Sequence, residues 1–204
     1  MRELLPSLAA LALLCATPAV AGDYVQKPGS TLGFSTAYQG ETFVGKLPGF
    51  VTRLHFDPAR LADARLDVDI PLAGVSIDNP DGDETLKSGD FFNIAKFPRA
   101  RYSASRFRAL GGNRYAADGT LALRGVSKPV TLDFTFTPGA NAVLSGSAKV
   151  KRLEFGVGGG EWADTDTLPN QVTITTRVLL SPASATSPAT TAKPAVPAAV
   201  SARP

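Results

Sequence analysis

Catalysis and metal binding need partnered polar side chains, and few combinations in these 204 residues qualify. The single histidine, His55, stands on the strand parity opposite Phe50, Leu54 and Phe56, so it points to solvent if those three face a core. No GxSxG sequence is present to make a nucleophile elbow, and one histidine without a neighbouring motif does not make a Ser-His-Asp triad. The acidic run Asp78, Asp81, Asp83 and Glu84 carries the oxygen ligands a hard cation wants. Its spacing is not that of an EF-hand: with Gly82 at the loop glycine, Ile77 takes the first ligand position and Ser88 the last. At a helix start the same carboxylates meet the positive end of the helix dipole, and that is the role expected of them. Gly156, Gly158, Gly159 and Gly160 imitate a phosphate loop, but Glu161 fills the final glycine position and no amphipathic helix follows. They read as a loop near a barrel mouth. The inventory gives no catalytic residue, no metal site and no cofactor, and it points to a binding protein and away from an enzyme.

The elements that position these residues are mostly strands. Leu66, Val68, Ile70 and Leu72 alternate with Asp67 and Asp69, and Val130, Leu132, Phe134 and Phe136 alternate with threonines and Asp133. Val172, Ile174, Thr176, Val178 and Leu180 share a parity, as do Phe50, Thr52, Leu54 and Phe56. Turn residues at Asp57-Pro58, Gly111 to Asn113, Asp118-Gly119, Pro138-Gly139 and Pro169-Asn170 favour hairpins over helical crossovers. Strands are expected at Leu32 to Tyr38, Thr42 to Phe56, Arg65 to Leu72, Arg101 to Phe107, Tyr115 to Leu123, Val130 to Phe136, Leu144 to Phe155 and Val172 to Leu180. About eight strands close an antiparallel barrel with room for side chains or one ligand. One short helix is expected within Asp81 to Asp90, leading into Phe91, Phe92, Ile94 and Phe97, an apolar cluster able to plug one barrel end.

Both ends of the chain differ in character from this unit. Residues 1–21 read as a secretory signal peptide, with Arg2, an apolar stretch from Leu8 to Leu14, and Ala19-Val20-Ala21 as the cleavage site. The expected location is therefore the periplasm. The only cysteine, Cys15, lies inside that leader, so the mature protein uses neither disulfides nor thiolate metal sites. From Ser181 to Pro204 the composition turns to Ala, Pro, Ser and Thr, which reads as a disordered tail after a barrel domain at 22–180. The net charge of +3 is mild. Arg99, Arg101, Arg106, Arg108 and Arg114 lie along apparent strands without a nucleic-acid motif, and nucleic acid is excluded as a partner.

The aromatic inventory is eleven phenylalanines, four tyrosines and one tryptophan. Phe34, Phe107, Phe134 and Phe155 coexist with Gly33, Ala104, Gly146 and Ala148, so a filled and a hollow barrel both stay open on composition.

A more specific signal is the string Leu86 to Pro98, LKSGDFFNIAKFP, which resembles the signature of the YceI-like family of exported bacterial lipid-binding proteins. Gly119 to Val130, GTLALRGVSKPV, is similar to that family's "GxLTxxGVTKPV" segment, and Lys151 to Gly156 to its "KRxxFG" segment. Ser76 to Asp78 stands where the family has "SVDT", and Asp23 with Ser30 to Phe34 resembles its first strand. The resemblance implies an all-β, eight-stranded antiparallel lipocalin-like barrel with one helix, binding a polyisoprenoid or similar long amphiphile without catalysis. The family's polar positions are replaced here: a first-strand histidine falls at Gly29 or Ser30, a second at Tyr38, and the helix motif "RDxHL" reads Gly82 to Leu86, GDETL. By position, Tyr38, Asp83 and Thr85 are expected at the mouth, and Phe34, Phe91, Phe92, Phe107, Phe134 and Phe155 around the lipid tail. An isoprenoid-type lipid is thus the expected partner. A homodimer, and an envelope protein met through the surface or the tail, are the other partners considered.

Overall fold

The computed structural model describes residues 22–183; the expected signal peptide at 1–21 and residues 184–204 of the expected tail lie outside the described residues. Its strands are β1 (Gly22–Gln26), β2 (Thr31–Tyr38), β3 (Glu41–Lys46), β4 (Val51–Phe56), β5 (Arg65–Pro71), β6 (Arg99–Gly111), β7 (Arg114–Leu123), β8 (Val126–Thr137), β9 (Ala142–Lys151) and β10 (Gln171–Pro182).

These ten segments make eight staves. One edge of β10 is met by β1, Tyr24 to Gln26 against Pro182 to Leu180, and further along by β2, Thr31 to Ser35 against Arg177 to Thr173. β1 and β2 therefore lie end to end as one stave. On their other side β2 pairs β3 and β1 pairs β4, so β3 and β4 form the second stave. From β4 each strand pairs antiparallel with the next through β10, and β10 returns to the first stave. The sheet is closed, an eight-stranded antiparallel barrel with one short α-helix, as the alternation requires.

Several expected boundaries move. The Thr42 to Phe56 segment breaks between Lys46 and Val51, where Pro48 cannot donate to a ladder. The Leu144 to Phe155 segment ends as a strand at Lys151 and continues as a 3-10 turn, Arg152–Phe155. Asp118-Gly119, read as a turn, sits inside β7 opposite Thr131 and Val130. Gly119 is there for a different reason: a Cβ on it would stand 2.6 Å from the Tyr102 ring. β10 runs through Ser181 and Pro182, two residues past the expected end of the domain.

The helix α1 (Pro80–Lys87) is shorter than expected at its C-terminal end. Asn79 caps it by accepting from the Gly82 N–H at 3.0 Å, Pro80 takes the first position, and Asp81 and Asp83 occupy the first turn.

The barrel interior has two unlike halves. In one, Phe56 is fully buried and its ring meets Phe136, Tyr115, Phe134 and Phe107 at centroid distances of 4.9, 5.0, 5.6 and 5.8 Å. Tyr24 adds an edge contact to Phe136 at 5.4 Å. Edge-on packing of this kind fills the end solid.

Candidate functional site: a hollow half-barrel under an arginine-tied cover

Beyond the aromatic end the inward positions change to smaller side chains, among them Val68, Ala100, Leu121, Val130, Ala148 and Ile174. They leave a hollow walled almost throughout by carbon. Centres of water-sized atoms have about 170 Å³ within it, and the whole space between its atoms, including the part open to solvent, is about 1340 Å³. On the first measure one water needs about 10–15 Å³, so the hollow has room for roughly a dozen such atoms.

Its far end is covered by two segments. After α1, which contributes Leu86, the chain supplies Phe91 and Phe92; between β9 and β10 it supplies Val157 and Leu168. Arg152, on the inward parity of β9 and only 4% exposed, holds the second segment. Its Nε donates to the Pro169 carbonyl at 3.1 Å, Nη1 to those of Val157 at 3.1 Å and Gly158, and Nη2 to those of Trp162 at 2.7 Å and Leu168 at 2.6 Å. All five guanidinium N–H groups are thereby used. Burial draws its pKa down, but the charge is held by five carbonyl dipoles; none of the ion pairs among the described residues includes it.

Further bonds tie the cover to the barrel. The Gln39 N–H donates to the Thr167 carbonyl at 2.9 Å and the Arg124 guanidinium to the Phe91 carbonyl, while the Gly158 N–H donates to the Asp90 carbonyl at 2.8 Å and joins the two cover segments to each other. The Trp162 ring lies 5.2 Å from Phe91 on one side and 6.1 Å from Tyr38 on the other.

Polar groups on the wall are few. The Tyr102 hydroxyl is shared between the carbonyls of Ala117 at 2.8 Å and Val130 at 3.1 Å, and burial pushes its pKa up. Thr176 Oγ1 donates to the Thr31 carbonyl. Thr36 Oγ1 and Thr52 Oγ1 are buried without a hydrogen-bond partner among the described residues.

Of the residues expected from sequence, Phe34, Phe91 and Phe92 lie on this wall. Phe107 and Phe134 belong to the filled end, and Phe155 is buried in the 3-10 turn, off the wall. Tyr38 is 38% exposed, outside Trp162. Asp83 accepts from the Ile77 N–H at 2.6 Å, and this bond with that of the Ser76 hydroxyl holds its carboxyl below the usual range. Thr85 donates back to the Asp81 carbonyl. Asp83 and Thr85 thus serve the helix and its approach, and neither is on the wall.

Thr36, Thr52 and Arg152 also lie on this wall, beyond the residues expected from sequence. Strand parity was the signal for all three, since Thr36 follows Phe34, Thr52 precedes Leu54 and Arg152 follows Val150 at intervals of two. Elsewhere, His55 Nδ1 lies 2.8 Å from Asp23 on the outer surface. Arg99 and Arg101 pair with Asp69, and Arg108 with Asp118, so the basic stretch is partly neutralised across strands.

A closed up-and-down barrel, solid at one end and hollow with a carbon wall at the other, is the architecture of a lipocalin-like binding barrel. The chain belongs to the YceI-like family: the model of the YceI-like domain matches residues 24–180. A UPF0312 protein of Azotobacter vinelandii is 31% identical over 166 residues, 74% of this chain and 86% of that protein. Among solved structures, BcnA of Burkholderia cenocepacia is 26% identical with a TM-score of 0.71, covering 74% of this chain and 95% of that one. A polyisoprenoid binding domain from Saccharophagus degradans, implicated in plant cell wall breakdown, shares the fold at a TM-score of 0.60 and 11% identity, covering 80% of this chain and 99% of that one.

Proposed function

We propose that this protein is an exported, non-catalytic carrier or reservoir that holds the chain of a polyisoprenoid or similar long amphiphile in the hollow half of its barrel. The observation that carries the reading is the hollow itself: a space closed below by packed rings, with a wall of carbon at nearly every position. Burying about a dozen methylene-sized groups there is worth roughly 10 kcal/mol gross. Part of that is lost to immobilising the chain, and only the surplus appears as affinity. Membership of the YceI-like family supports a binding role, and the fold shared with a polyisoprenoid binding domain agrees with an isoprenoid-type chain. A periplasmic address rests on the leader-like residues 1–21.

The test is the intact mass of protein purified from the periplasm without detergent, under native and denaturing conditions. A mass lost on denaturation, matching a long-chain lipid, is expected; the native mass also reports whether the barrel is a dimer. An unchanged mass, together with failure of added lipids to bind, would sink the carrier reading. Function would then move to the surface or to the tail after Pro182, with an envelope protein as partner.

A further inference from the structure

Among the described residues, two buried side-chain polar atoms have no hydrogen-bond partner, Thr36 Oγ1 and Thr52 Oγ1, and both residues line the same hollow. Their levels differ. Thr52 is 2% exposed, next inward residue to Leu54 and opposite Val68, so it lies toward the filled end. Thr36 pairs with Phe43 and stands two residues before Tyr38, beside the cover. A hydroxyl left unpaired in a carbon wall is unfavourable unless something brings it a partner. The wall's other polar groups are already engaged: Tyr102 with two carbonyls, Thr176 with Thr31, Arg152 with five carbonyls.

Resting on the carrier reading, we infer that the ligand is an uncharged, oxygen-bearing amphiphile whose oxygen is received inside the hollow at one of two levels, by the hydroxyl of Thr52 or by that of Thr36. A hydroxyl both donates and accepts, so it suits a carbonyl, an ether or an alcohol. A carboxylate or phosphate has no such welcome. Among the described residues Arg152 is the one charged side chain on the wall, and it has no N–H left to give. An anion drawn inside would shed its water without gaining a counter-charge.

Delipidated full-length mature protein, titrated with dodecane, 1-dodecanol and dodecanoate, separates the alternatives. Trp162, the only tryptophan, packs on Phe91 of the cover and supplies a fluorescence readout, with calorimetry as the second. Dodecanol is expected to bind at least about tenfold more tightly than dodecanoate. In the Thr36→Val/Thr52→Val double variant, dodecanol affinity is expected to fall about tenfold while dodecane affinity holds. Val matches Thr in shape, and thermal unfolding of the variant verifies the fold. Thr52→Ser, which keeps the hydroxyl, is expected to keep dodecanol affinity. Unchanged dodecanol binding in the double variant, or dodecanoate binding as tightly as dodecanol to the wild type, overturns this inference and leaves the carrier reading standing. If no probe binds, dodecane included, both fall together.

Discussion

The Phe34 ring lies over Gly45 on the neighbouring stave, so close that a Cβ on the glycine would stand 2.1 Å from the ring's Cζ. Both residues face inward, and the ring has one direction of retreat, into the hollow. Gly45→Ala is therefore expected to swing Phe34 into the ligand's space. Stability should fall by about 1–3 kcal/mol, the usual cost of an overpacked contact. Affinity for a long-chain ligand should drop about tenfold. Urea unfolding and ligand titration of the one variant check both; full affinity with Ala at this position would mean that Phe34 does not border the bound chain.

Arg152 binds five carbonyls of the cover with one side chain, which makes it the strongest single tie there. Arg152→Met keeps the apolar stem and strands those carbonyls. The loss should be at least about 3 kcal/mol, because hydrogen bonds to a charged group are worth about 1.5–3 kcal/mol each and buried orphans add their own cost. Lysine, with three donors from one point, should recover only part of it. Urea midpoints, together with limited proteolysis between residues 156 and 168, measure the effect. An Arg152→Met variant within about 1 kcal/mol of wild type would contradict the cover's dependence on this residue.

Alternation alone makes the barrel legible in the sequence. Val130, Leu132, Phe134 and Phe136 face inward as their spacing demands, and the stave count of eight survives because each broken stave still spans one place in the ring. Depth is not legible in the same way. Val130 and Phe134 share a parity, yet one lines the hollow and the other closes the filled end, a difference set by cross-strand register that no single strand encodes. Inward glycine misleads for the same reason: Gly146, which on composition suggests a hollow interior, lies against Phe134, where a Cβ would stand 2.8 Å from that residue's own. Gly33 points outward beside Gly45. Helix chemistry has a clear cause: Asp83 and Thr85 make their hydrogen bonds to α1 and its approach, and neither lines the hollow.

Outside the barrel, Asp118 accepts from Arg108 Nε at 2.9 Å and Nη2 at 3.2 Å and from Thr131 Oγ1 at 2.8 Å. The Arg108 bonds, then that of Thr131, hold its carboxyl at about 2 against an ordinary 3.8. The folded value is the lower one, so the unfolded chain takes up the proton first. The stabilisation is complete above about pH 4, erodes as pH falls, and is gone once pH drops below the folded value. With the carboxylate side chain 28% exposed, solvent screening trims its size. Asp118→Asn should be less stable than wild type at neutral pH, and the two urea midpoints should converge as pH falls from about 4 to 2. Parallel curves across that interval would assign the acid sensitivity to other carboxylates.

The division of the interior into filled and hollow halves predicts that two substitutions have opposite effects. Ala148 sits on β9 opposite Ile174 and points into the hollow. Ala148→Phe adds a ring where the structure has space, so it should cost less than the usual 1–3 kcal/mol of overpacking. It should also abolish uptake of a long-chain ligand. Phe107, packed on Phe56 and Phe134 and off the wall, should behave in the reverse way. Phe107→Leu keeps a large apolar side chain and should cost up to about 1.5 kcal/mol of stability while leaving affinity unchanged. Stability alone cannot separate a ligand wall from ordinary core, and affinity alone cannot separate a blocked site from a damaged fold. Measured together on both variants, they can. Loss of binding in Phe107→Leu with binding intact in Ala148→Phe would place the ligand at the aromatic end, and the hollow would then be a packing defect and not the site.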